Sequence, residues 1–325
     1  FPIFFKLFWE KLERGIYMAS QTNVREMIAK NNAKKGGASD KIVPIILGII
    51  SAISILTTIA ILFTLLTETI TFFTRVPFSK FFLTGTWNPT GSNPEYGIWA
   101  LIIGTLKITF IATIVSVPIG LGAAIYLNEY ASDRTRRIIK PILEILAGIP
   151  TIVFGFFALT FVTPILRSII PGLGEFNSIS PGIVVGIMIV PIITSLSEDA
   201  MSSVPNKIRE GAFGLGATKF EVATKVVLPA ATSGVVASIV LGVSRAIGET
   251  MIVSLAAGST PTSSLSLTSS IQTMTGYIVE VATGDAPFGS DIYYSIYAVG
   301  FTLFIFTIIM NLLSQWISKR FREEY

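Results

Sequence analysis

Apolar residues gather into six long runs, separated by segments that are charged or rich in turn residues. The runs are Ile42–Leu66, Ile98–Leu127, Ile142–Leu166, Pro181–Leu196, Thr232–Gly258 and Ile292–Ile317. A helix needs about 20 apolar residues to cross the hydrocarbon core of a bilayer. Each run is therefore expected to span the membrane, which makes this an all-α integral membrane protein with six transmembrane helices. The fourth run is short and holds Pro191, so it is expected to be tilted, broken or extended by its polar flank. Pro118 and Pro150 also fall inside runs, where prolines bend helices and free carbonyls. Pro150, between Gly148 and Gly155, reads as a hinge or as a static kink. Gly182 and Gly186 form a small-x-x-x-small pair that predicts close helix packing.

The connectors differ in charge. Segments 18–41, 128–141, 197–229 and 318–325 carry 16 Lys and Arg, whereas segments 67–97, 167–180 and 259–291 carry 3. Cytoplasmic loops hold the excess of basic residues, so both termini are expected in the cytoplasm. The expected parts are a cytoplasmic N-terminal segment 1–41, a first transmembrane helix 42–66, a transmembrane domain 97–317 and a cytoplasmic tail 318–325. Phe1–Tyr17 is aromatic and basic and precedes Met18. It reads as sequence upstream of the start, with an interfacial helix as the other reading. Residues 84–97 are turn-rich. Segment 259–291 is expected to be loop over its Ser/Thr tract 262–270 and a short helix over Ile271–Ala282. Both outer segments read either as simple connections or as a docking surface for an external partner.

The connection 197–229 is too long for a structureless loop in a compact domain. Pro205 and Asn206 offer a helix start. Ile208, Ala212 and Leu215, then Phe220, Val222 and Val226, fit two short helices with a bend at Gly214 and Gly216.

Composition supports the membrane reading: 51% of the 325 residues are apolar and 14% charged, against roughly 25% charged in soluble domains. There is no histidine and no cysteine. That removes the commonest general base and metal ligand and all thiolate chemistry, so triad hydrolysis and zinc catalysis are not expected. The net charge of +4 fits basic loops on one side of a membrane rather than nucleic-acid binding.

Arg245 and Glu249 stand out inside the fifth run. A charge at the bilayer centre costs about 2.5–3.5 kcal/mol on insertion scales. Spaced i, i+4, the two are expected on one helix face, turned to the protein interior or a watery path. The pair reads as a buried ion pair that locks packing, or as a functional site. A guanidinium suits an oxyanion because its planar fork stays charged and binds two oxygens. A glutamate beside it suits a ligand that carries a proton, as phosphate does at neutral pH and sulfate does not. Ser244 and Thr250 are weaker candidates for lining the same path. Lys107, in the second run, reads as a snorkelling lysine or as a second anion contact. Glu144 is expected to reach the interface.

Two stretches carry a resemblance. Glu210-Gly211-Ala212, Gly216 and Leu228-Pro229 resemble the E-A-A-x3-G-x9-I-x-L-P motif of ABC importer permeases, with Val226 at the Ile position and Gly211 departing from the first Ala. S-R-A-I-G-E-T-M, residues 244–251, is similar to a segment of the PstC-type permeases of bacterial phosphate importers. A-G-I-P-T-I-V-F-G at 147–155 and N-E-Y at 128–130 add to it. The likeness covers about residues 97–317.

The resemblance implies a type I ABC importer permease fold, MetI-like, with a cytoplasmic coupling helix at about 206–219 that docks on an ATPase. It implies an inner-membrane location and phosphate import, with Arg245 and Glu249 in the substrate pathway. It also implies a homologous PstA-like permease, a PstB-like ATPase dimer and an external PstS-like phosphate-binding protein as partners. No G-x-x-x-x-G-K-[ST] phosphate loop occurs. The chain is thus expected to bind no cofactor and to be no enzyme itself, with ATP used by the partner ATPase. Import of molybdate or sulfate, the sister phosphate permease, and an ion-coupled secondary transporter are the alternatives.

Overall fold

Backbone polar groups inside a bilayer must be satisfied within the segment, which favours helices. The computed structural model describes residues 38–320 and is helical almost throughout. Among the described residues five helices are long and apolar enough to cross a membrane, or six if one bent pair counts as a span. The N-terminal segment 1–37, with Phe1–Tyr17, lies outside the described residues.

The chain divides into two units, Phe1–Thr64 and Leu65–Tyr325. Helix α1 (Ala38–Arg75) begins in the first. There its apolar side chains are exposed on all sides, Ile45 by 60% and Leu56 by 64%. A helical stretch with no polar face is solvated by lipid, not water. Its threonines return their hydroxyls to the helix: Thr57 donates to the Ile53 carbonyl and Thr58 to that of Ser54.

In the second unit, α2 (Phe78–Leu83) and a two-stranded hairpin, β1 (Trp87–Asn88) with β2 (Glu95–Tyr96), close one end. Phe72, Phe81, Trp87 and Tyr96 pack edge to face there. Helix α3 (Trp99–Ile125) continues into a π-helical turn, Tyr126–Tyr130. Amphipathic α4 (Asp133–Gly148) follows. Next come α5 (Thr151–Phe157), a π-helical turn at Ala158–Val162, and α6 (Thr163–Ile169). Helix α7 (Ile179–Ser202) is the central, most buried element. Short α8 (Asn206–Gly214) and α9 (Lys219–Glu221) follow, then a π-helical turn at Val222–Val227 and α10 (Leu228–Ala230). The chain ends through α11 (Thr232–Ile247), α12 (Met251–Ala256), α13 (Met274–Thr283) and α14 (Asp291–Arg320).

Two expectations change, and a third, for the fourth run, is decided in favour of extension by its polar flank. The third run is not one helix from Ile142 to Leu166. Ile149, the residue before Pro150, is extended at φ −66° and ψ 129°, because proline disfavours the helical region for its predecessor. Residues 142–148 thus belong to α4, and the span is Thr151–Ile169. The short fourth run gains a polar flank and runs unbroken through Pro191 as a 24-residue helix. The run Thr232–Gly258 breaks after Ile247.

Close approach holds α7 against α3. A Cβ on Gly186 would lie 2.8 Å from the Val115 Cβ and 2.9 Å from the Ala112 carbonyl oxygen. Gly186→Leu is therefore expected to force the two helices apart at about 1–3 kcal/mol or more. The purified variant should melt several degrees lower in detergent, with Gly186→Ala in between.

Candidate functional site

The break after Ile247 brings the two intramembrane charges together in a way the sequence spacing did not anticipate. Helix α11 ends as Gly248 and Glu249 bond back to the Ser244 and Ala246 carbonyls. Glu249 is therefore not on the helix face of Arg245; it sits in the break. Its Oε1 accepts hydrogen bonds from the backbone N–H of Met251 at 3.1 Å and Ile252 at 3.4 Å. A carboxylate on exposed N–H groups at a helix start is favourable both as a cap and against the helix dipole. That local bonding explains why an uninterrupted apolar run stops being one helix.

The other oxygen, Oε2, lies 2.8 Å from Arg245 Nη1. This is an ion pair of close charges without an aligned hydrogen bond, since Oε2 has no hydrogen-bond partner. The two side chains differ sharply in exposure: Glu249 is 2% accessible and Arg245 42%. The guanidinium thus has free N–H groups on an open face, while the glutamate is held from behind. Such a pair can take an oxyanion on the open side of the fork, with the buried carboxylate behind it. Nearby, Ser244 donates to Asn311 Oδ1 of α14 at 3.2 Å. Thr250 donates to the Gly248 carbonyl, so neither hydroxyl is free.

Lys107 does not snorkel. It is 7% exposed, and its ammonium donates to the carbonyls of Ser264 and Ser266, the latter at 2.9 Å.

At the other end of the unit the long connection forms a compact helical hairpin. Helix α8 starts after Pro205 and ends at Gly214; Gly216, at φ +87°, turns the chain. That left-handed conformation is cheap only for glycine. Thr218 and Glu221 then form a capping box that starts α9. Glu210, Gly211 and Pro229 are exposed, and Ala212 and Leu228 pack partly against Val204, Val222 and Val227. Leu215, at the tip, is 92% exposed and Phe220 67%. The Thr218 backbone N–H, then Lys225 and the Thr218 hydroxyl, pull the Glu221 carboxyl down to about 2. A depressed acid stabilises above its ordinary value of 4.5 and loses that contribution as pH falls through about 2. The protection of the 218–222 amides, relative to their intrinsic exchange rates, should thus be constant through neutral pH and fall in Glu221→Gln.

Two residues outside the motifs fix this hairpin. Arg209 donates to the Met201 and Val204 carbonyls at 2.6 and 2.5 Å and pairs with Glu129 at 3.3 Å. It ties α8 to the end of α7 and to the π-helical turn after α3. Glu198 of α7, only 1% exposed, pairs with Lys140 at 2.5 Å and Arg136 at 3.5 Å on α4. The available signal was a carboxylate just past the second and fourth apolar runs, Glu129 and Glu198, with basic segments elsewhere in the cytoplasmic connectors.

Residues 116–323 match the family described as binding-protein-dependent transport system inner membrane component. The chain is 34% identical over 235 residues to the probable ABC transporter permease protein YqgH of Bacillus subtilis (strain 168), covering 72% of this chain and 75% of that protein. It is 33% identical over 261 residues to the phosphate transport system permease protein PstC of Mesorhizobium japonicum, covering 74% and 78%. Among solved structures, one chain of a bacterial alginate ABC transporter aligns with a TM-score of 0.60 at 17% identity, covering 87% of this chain and 97% of that one. A chain of the MetNI methionine ABC transporter gives 0.54 at 17%, covering 70% and 98%. At such identities the structures speak for the fold alone.

Proposed function

The chain belongs to the family of binding-protein-dependent transport system inner membrane components, and from that premise we propose that it is the PstC-type permease subunit of an ATP-driven phosphate importer. The observation that carries the reading is the half-exposed Arg245 paired with buried Glu249 at a break in an apolar helix. Relatives named as phosphate permeases, at 32–33% identity over about three quarters of the chain, support it. A monohydrogen or dihydrogen phosphate would place two oxygens on the Arg245 fork and its P–OH toward Glu249 Oε2. A fully ionised sulfate would meet the same carboxylate as a repulsive charge.

Energy comes from outside the chain, since no phosphate loop for ATP is present. A separate ATPase dimer, PstB-like, docks on the hairpin α8–α9, where Glu210, Gly211, Ala212 and Gly216 stand, with Leu228 and Pro229 at its root. Arg209 passes the push to α3 and α7 through short, charge-assisted bonds. A homologous PstA-like permease covers the open face of Arg245, and a PstS-like phosphate-binding protein delivers ligand at the hairpin β1–β2 end. The protein sits in the inner membrane with both termini and α8 in the cytoplasm. Cells that depend on this chain for import should take up radiolabelled phosphate in competition with arsenate. Competition by sulfate or molybdate instead would favour the rival oxyanion reading and remove the role given to Glu249.

A further inference from the structure

We propose that Lys107 is a second anion-receiving residue, at the outer end of the pathway, whose ammonium is held by strap carbonyls until phosphate arrives. This rests on the phosphate-permease reading above.

Lys107 lies eight residues into α3 from Trp99, about 12 Å along the helix. It is 7% exposed and, among the described residues, no carboxylate pairs with it. Its partners are the carbonyls of Ser264 and Ser266. Carbonyl dipoles satisfy the N–H donors but bring no negative charge, so the site keeps a net charge of about one. A strap needing only an anchor would be served by a neutral donor. A buried cation without a counter-ion is a place that favours an anion.

The strap is suited to yield. Residues 261–270 read P-T-S-S-L-S-L-T-S-S. Part of its bonding is internal: Ser264 N–H donates to Thr262 Oγ1, Ser266 N–H to Ser264 Oγ, and Thr268 N–H to Ser266 Oγ; other bonds tie it to Gly85 through Ser263, and to Ser178 and Gly174 through the Leu267 and Thr268 carbonyls. The internal stitches travel with the strap if it moves. On its outer side, Ser263 and Ser264 help line a cavity of about 770 Å³ with Thr86, Trp87, Asn88 and Glu95. Glu95, held by the Thr86 hydroxyl, puts one negative charge on that rim, and Ser264, whose carbonyl accepts from Lys107, links the rim to the lysine.

The chain that follows the strap reaches the Arg245–Glu249 break. The Gln272 carbonyl passes so close to Gly104 that a Cβ there would lie 2.2 Å away. Met274 N–H donates to Thr105 Oγ1, and Thr275 Oγ1 donates to the Glu249 carbonyl at 2.7 Å. Residues 264–275 therefore connect the carbonyls on Lys107 to the backbone of Glu249. A phosphate that replaces the Ser264 and Ser266 carbonyls on Lys107 releases the strap's two contacts with α3 there and loosens the segment that leads to Glu249.

The chain has no cysteine, so Ser266→Cys gives a single thiol in this subunit. The assembled transporter carrying it, with cysteine-free partners, is labelled from outside with an impermeant maleimide. Added inorganic phosphate should raise the labelling rate severalfold, and chloride should not. Sulfate and molybdate are run beside it. A response to either of these alone overturns the phosphate reading and leaves the anion role of Lys107 standing. No response to any oxyanion overturns the proposal for Lys107.

Uptake supplies the second arm. Lys107→Gln, which keeps amide donors for the carbonyls, should lose roughly tenfold or more of the uptake rate, because charge-assisted bonds are the strong ones. Lys107→Arg should restore most of it. Wild-type uptake by Lys107→Gln would make the residue an anchor of the strap and overturn the proposal.

Discussion

Arg245→Ala is expected to stop phosphate uptake while leaving the transporter assembled in the membrane. Removing one partner of a buried pair costs about 3–5 kcal/mol, because it strands the other charge. Arg245 is 42% exposed, so solvent screening lowers that figure to about half. Glu249 keeps its cap on α12 through Oε1, and the fold therefore survives. What disappears is the only cation at the break that could hold an anion. A loss of about 2.7 kcal/mol at the substrate contact corresponds to roughly a hundredfold in rate. Arg245→Lys should recover part of this, since the charge returns without the fork. Initial uptake rates in proteoliposomes, normalised to reconstituted protein, give the result. An unchanged rate in Arg245→Ala would take the pair out of the pathway.

The second large effect is expected at the opposite end. Leu215 and Phe220, exposed by 92% and 67%, project from the hairpin beside the less exposed Phe213. Exposed apolar knobs on a rigid support fit the pattern of an interface anchor. Leu215→Asp with Phe220→Asp removes two such anchors at about 2 kcal/mol each, several hundredfold in Kd. The ATPase should then fail to copurify, while circular dichroism of the permease stays unchanged. Retained association would place the docking surface elsewhere.

The amount of this that could be read in the sequence followed the range of the forces involved. Burial from water acts on long runs, and the spans built on α1, α3, α7 and α14 were legible from composition alone. The hairpin at α8 was legible too, because Pro205, Gly214 and Gly216 act on the chain locally. Backbone competition at single residues was harder to see. Pro150 moved the start of the third span because it reshapes Ile149, and hydropathy does not register that. Glu249 looked like a helical residue at i+4, yet its carboxylate bonds the N–H groups of Met251 and Ile252 and ends the helix. The ion pair with Arg245 survives, now across a break instead of along a face. Partners far apart in sequence were not legible at all. Glu129 at the end of an apolar run marks a carboxylate that needs a partner but does not single out Arg209, and nothing in 262–268 points to Lys107. Those contacts exist only after α3, α7 and the strap have packed.

The central claim is that this chain forms a phosphate pathway driven by an ATPase bound at its hairpin. It is tested most directly by reconstituting the chain with its partner permease, ATPase and binding protein, and following radiolabelled phosphate into proteoliposomes. Uptake should require ATP, vanish when the hairpin variant Leu215→Asp with Phe220→Asp replaces the wild type, and fall roughly a hundredfold in Arg245→Ala. Phosphate entry that proceeds at the same rate without ATP would contradict the account.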